Sequence, residues 1–74
     1  MSDEEFLTLF LEAIGADPGS LTLDSPLSSS GNWDSVAYLS VMALVDERMG
    51  VVLDPQMLVE ADTPRAILEL ARQG

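Results

Sequence analysis

The chain has 74 residues, with 13 acids against three bases, no histidine and no cysteine, and a formal charge of −10. The three bases are Arg48, Arg65 and Arg72, so nucleophile–base pairs, Schiff bases and soft metal sites have no residues to form from, and the cations that neutralise nucleic acid or anionic lipid are missing. Yet 47% of the residues are hydrophobic, which excludes a disordered acidic tail. The first element starts at Ser2, spaced with Glu5 as a capping box in which each side chain satisfies the other's backbone N–H. Phe6, Phe10 and Ile14 then recur every four residues with Leu7 and Leu11 beside them, which predicts a helix from Asp3 to Ile14 that Gly15 stops.

From Gly15 to Asp34 no period survives. Pro18, Gly19, Pro26, the run Ser28-Ser29-Ser30, Gly31 and Asn32 are turn and loop residues, while Leu21, Leu23 and Leu27 are spaced to pin the segment on the core. A loop this long in a small domain either carries function or hides a further element, and the first is expected here. Asp34 caps a second helix over Ser35 to Met49, and Gly50 ends it. Around its axis Tyr38, Met42, Val45 and Met49 share one sector, read as core; Val36, Ser40, Ala43 and Glu47 share the opposite one, which is too apolar for a purely solvated face. Trp33, just before the cap, reads as a hydrophobic staple on that helix.

Val51-Val52-Leu53 reads as an extended connector. Asp54-Pro55 is an N-cap and first helical residue, and Gln56 to Ala61 completes a short helix. Thr63-Pro64 repeats the start signal for a last helix whose inner face is Ala66, Ile67, Leu70 and Ala71. Met42, Met49 and Met57 read as core filler. The expectation is an all-α fold: a small antiparallel bundle of three longer helices plus one short helix, with a long loop between helices one and two, forming a single domain over residues 1–74.

No basic n-region precedes an apolar stretch and no apolar run approaches a membrane span, so a cytoplasmic protein is expected. No Asp-x-Asp-x-Asp-Gly spacing for calcium appears, and no acid pair is flanked by residues that would desolvate it for acid–base catalysis. No metal and no catalytic residues are expected.

Ser35 is the residue that singles itself out. It stands at the first turn of a helix, after the long loop and beside Asp34. Capping alone accounts for such a pair, and Asp24-Ser25, followed by Pro26, is a second pair that heads no helix. Placement sets Ser35 apart: free N–H groups and the positive dipole end suit a phosphate diester, and the helix beyond presents a mixed apolar and acidic face.

The stretch Gly31-Asn32-Trp33-Asp34-Ser35-Val36, the helix to Met49 and the tail Ala61-Asp62-Thr63-Pro64-Arg65 together resemble an acyl carrier protein over essentially the whole chain. The resemblance implies a non-catalytic carrier. Ser35 would hold phosphopantetheine, donated from coenzyme A by a phosphopantetheinyl transferase, with Asp34 as the family's acid before the serine. Val36 stands where the family usually has leucine. Val36 and Ala43, with Met42 beside them, would centre the contact with acyl-loading and condensing enzymes. Asp46, Glu47, Glu60 and Asp62 would form its acidic rim against basic patches. Absence of lysine, Trp33, and Ser40 where fatty-acid carriers often have an acid point towards polyketide or other secondary-metabolite assembly rather than fatty-acid synthesis. A start at Met1 without a linker fits a discrete carrier, the alternative being a domain excised from a larger synthase; a monomer is expected. The alternative from another class is a small acidic interaction module without cofactor.

Overall fold

The computed structural model describes residues 2–29, 31 and 33–73. Its first helix, α1, runs over Asp3–Ile14. The Ser2 hydroxyl accepts the Glu5 N–H at 3.2 Å, one half of the predicted capping box. Asp3, Glu4 and Glu5 occupy the first turn, where the dipole favours acids. Phe6, Phe10 and Leu11 are buried. At the other end Gly15 adopts φ 72°, which a side chain would strain. There the Gly15 N–H bonds the Glu12 carbonyl and the Ala16 N–H the Leu11 carbonyl, the two closures of a Schellman motif.

The following loop contains one element the sequence does not advertise, a 3-10 turn over Leu27–Ser29 with Leu27 fully buried. Leu21 and Leu23 pack partly buried against the core, as their spacing implied. The loop is also fastened to the start of the last helix. The Leu27 N–H donates to the Asp62 carbonyl at 2.6 Å, the Ser28 N–H to the Asp62 carboxylate at 3.3 Å and the Arg65 N–H to the Leu23 carbonyl at 3.0 Å. Arg65 grips Asp24 with two nitrogens, at 2.8 and 3.2 Å.

Helix α2 spans Ser35–Met49, the short α3 Pro55–Glu60 and α4 Pro64–Gln73. The predicted caps are in place. Asp54 accepts the Gln56 N–H at 2.9 Å, and Thr63 accepts the Ala66 N–H at 3.2 Å ahead of Pro64 at the head of α4. No strand occurs among the described residues. The chain is therefore a small all-helical bundle. α1 packs on α2 and α4, and α2 touches α3. Asp3 reaches Arg72 at 2.7 Å and Arg65 at 3.9 Å, so the start of α1 lies against the side of α4.

The buried face of α2 differs from its predicted phase. Ala37, Val41 and Val45 are its buried residues, and at 100° per residue their sector lies about 70° from the one expected. Val45 belongs to both sectors, while Tyr38, Met42 and Met49 pack on the core from its edge, half-buried. The cause is that α2 is apolar almost all round, so periodicity alone cannot set its phase. The inner face of α4 likewise includes Leu68 and Pro64, both buried, with Ala66 and Leu70 at its margin. Met57, expected as core filler, is 51% exposed. α3 is too short to wrap more than one side chain inwards, and Leu58 takes that place, fully buried.

Candidate functional site

The head of α2 is built by three adjacent residues. Trp33 lies half-buried on the core with its ring 4.6 Å from Tyr38, edge-on at 72°, and 5.7 Å from Phe10. Trp33 precedes the cap and Tyr38 is the fourth helical residue, so the pair forms the expected hydrophobic staple. It fixes the angle at which the chain enters the helix. Asp34 follows in extended backbone and its carboxylate accepts the Ala37 N–H at 2.9 Å. The Tyr38 N–H bonds the Asp34 carbonyl at 3.0 Å.

These two bonds satisfy the third and fourth helical N–H groups. Those of Ser35 and Val36, the first two, have no acceptor among the described residues. Ser35 is exposed, and its hydroxyl makes no hydrogen bond among the described residues. An accessible hydroxyl at a helix N-terminus, with two unsatisfied N–H groups beside it, matches a phosphate diester in charge and in donor supply. The second Asp-Ser pair is built differently. The Ser25 hydroxyl accepts the Thr22 N–H at 2.9 Å and lies 3.0 Å from the Thr22 hydroxyl, while Asp24 is held by Arg65.

Beyond Ser35 the outward face of α2 carries Val36, Leu39, Ala43, Asp46 and Glu47, all exposed. Val36 is 70% and Leu39 67% exposed, the two large apolar side chains that α2 gives to solvent. Leu39 is missing from the predicted contact residues because the rotated phase left it out of both sectors. Met42 sits against the core instead.

The four acids of the predicted rim fall into two groups. Asp46 and Glu47 are exposed on the last turns of α2. Glu60 ends α3 and is exposed. Asp62, in the link between α3 and α4, is exposed too, but its carbonyl and carboxylate bind the 3-10 turn, so it fastens the loop as well. Of the three arginines, Arg65 and Arg72 pair with Asp24 and Asp3. The Arg65 guanidinium, chiefly by its hydrogen bonds, holds the Asp24 carboxyl below the ordinary value of 3.8. Among the described residues no cluster of three or more acids could hold a metal ion, and no helix is long and apolar enough to cross a membrane.

A family described as "Phosphopantetheine attachment site" matches residues 4–71, nearly the whole chain, and the chain belongs to that family. It is therefore a carrier protein of the phosphopantetheine class, whose members bear that group covalently and interact with the transferase that installs it and with biosynthetic enzymes. No curated protein and no solved structure matches it at the stringency applied.

Proposed function

We propose that Ser35 is the attachment point and that the chain, as one domain over residues 1–74, carries acyl intermediates for partner enzymes in polyketide or other secondary-metabolite assembly. The observation that supports this most is the exposed Ser35 hydroxyl beside two N–H groups that, among the described residues, have no acceptor, at a helix start fixed by Asp34 and Trp33. On this reading a transferase brings coenzyme A to Ser35. The Ser35 oxygen bonds to the phosphorus bearing pantetheine, the pyrophosphate P–O bond breaks, adenosine 3′,5′-bisphosphate leaves and the transferase takes the hydroxyl proton. The bound group then supplies a thiol that holds acyl chains as thioesters.

This chain's own residues do the rest. Asp34 keeps the helix start in place, and the Ser35 and Val36 N–H groups would be the donors available to the phosphate. Val36, Leu39 and Ala43 offer the apolar centre of a docking face, with Asp46 and Glu47 and, from α3 and its link, Glu60 and Asp62 steering basic partners. The chain itself performs no catalysis and works as a cytoplasmic monomer. The absence of lysine and the hydroxyl at Ser40 support the secondary-metabolite assignment over fatty-acid synthesis.

Incubation with coenzyme A and a broad-specificity phosphopantetheinyl transferase, read by intact mass, tests the attachment. The wild type should gain one phosphopantetheine and Ser35→Ala none. A gain that survives Ser35→Ala, or none in the wild type, contradicts the reading.

A further inference from the structure

α3 and α4 leave a hollow of about 310 Å³ between them, open to solvent. Its lining is mostly apolar. Met57 and the C-cap Ala61 contribute from the side of α3, and Ala66 and Leu70, one turn apart, from α4. Met57 is exposed, while Ala66 and Leu70 are only half-buried, so this apolar surface is left partly in water. Each helix also brings one exposed carboxylate to the hollow, Glu60 from α3 and Glu69 from α4. Neither makes an ion pair or a side-chain hydrogen bond among the described residues. None of the chain's three arginines lines the hollow. Arg65, one turn before Glu69 and acted on by its charge, is held by Asp24 at 2.8 Å and lies 3.9 Å from Asp3.

The chemistry of this lining selects its occupant. An anion is repelled by both walls, and a wholly apolar side chain would strip water from two carboxylates and give them nothing in return. The hollow is too open to enclose a small molecule. Arginine meets both demands: a methylene stem that lies along apolar surface, and a planar fork of five N–H donors that can serve two carboxylates at once. We infer that the α3–α4 hollow is the seat of an arginine side chain on a basic segment of a partner protein, a contact separate from the outward face of α2. The stem lies on Met57, Ala66 and Leu70, and the guanidinium meets Glu60 and Glu69. The charge of −10 draws such a segment in. This joins Glu60 to Glu69 rather than to the acids of α2 alone, and it stands whether or not Ser35 bears the arm.

The test titrates the full chain, labelled at its methyl groups, with a synthetic helical peptide carrying arginine and leucine on one face. A second peptide has citrulline in place of every arginine, which keeps the shape and removes the charge. The arginine peptide should shift the methyl signals of Met57, Ala66 and Leu70. It should bind about tenfold more tightly than the citrulline peptide, the change expected for hydrogen bonds to a charged group. Glu60→Gln combined with Glu69→Gln should erase that advantage. Asp46→Asn combined with Glu47→Gln removes as much charge from α2 and should retain it. Equal losses in the two double variants, shifts confined to Val36, Leu39 and Ala43, no preference for arginine or no binding each overturn the seat and leave Ser35 untouched. Absence of a phosphopantetheine mass gain in the wild type overturns the attachment at Ser35 and leaves the seat standing.

Discussion

Asp34 acts through its side chain and its position at once. Its carboxylate closes the Ala37 N–H, and its extended backbone turns the chain so that Ser35 is the first residue of α2. Asp34→Ala should cost about 0.5–2 kcal/mol. In a domain of this size each kcal/mol lowers the melting temperature by roughly 4–8 °C, and thermal circular dichroism reads the loss; an unchanged midpoint would show that the cap contributes nothing. Phe10 is the opposite kind of residue, fully buried and in ring contact with Phe6 and Trp33. Removing it costs about 3–5 kcal/mol, as much as a core this small supplies, so Phe10→Ala should be largely unfolded at 25 °C. Asp24 sets a pH dependence. Its folded pKa is depressed, so its contribution to stability is present above the ordinary value of 3.8 and is lost as the pH falls through the folded value. Arg65→Gln should remove that component from the acid limb of a stability–pH curve, and an unaltered limb would contradict the pairing.

Among the elements, α2 carries the docking face proposed above, and its exposed side makes two separable predictions. Leu39→Glu, which leaves the core untouched, should weaken transferase binding at least about fivefold, the effect of losing an interface residue worth over 1 kcal/mol. Reversing Asp46 and Glu47 to lysine should instead slow association about tenfold or more at low salt, a difference that shrinks as salt is raised. Surface-plasmon kinetics distinguish the two, and unchanged rates for both would remove α2 as the docking face. The elements also show what is legible in the sequence. α1, the starts of α2, α3 and α4, and the Trp33 staple follow from caps and spacing, because those interactions span three to five residues. The inward side of α2 does not follow, since apolar residues surround it and only packing against α1 chooses the phase. The fastening of the loop is equally hidden: Asp24 and Arg65 stand 41 residues apart, and nothing local links them. Ser35, the proposed attachment point, is singled out in the sequence by placement rather than by its dipeptide, since Asp24-Ser25 is a second such pair.

At the scale of the whole molecule, the chain folds to a radius of gyration of 10.7 Å, close to the about 11 Å expected for a compact chain of this length. It does so with a formal charge of −10. Two of its three cations are spent on internal pairs, Arg65 with Asp24 and Arg72 with Asp3. Self-repulsion of the remaining acids opposes the compact state. Raising salt from 0.01 to 0.15 M shortens the screening length from about 30 to about 8 Å, so the melting temperature should rise by a few degrees. A fall would mean that the exposed ion pairs outweigh the repulsion. On the proposed function, the same field that strains the fold would draw basic partners to it.

The central claim is that the arm is carried on Ser35 and nowhere else, and localisation of the modification tests it most directly. The transferase-treated protein would be digested and its modified peptide fragmented in a tandem mass spectrometer. All phosphopantetheine should reside on Ser35, with none on Ser25 or on Ser28-Ser29-Ser30. Recovery of the group on any of those loop serines would contradict the claim.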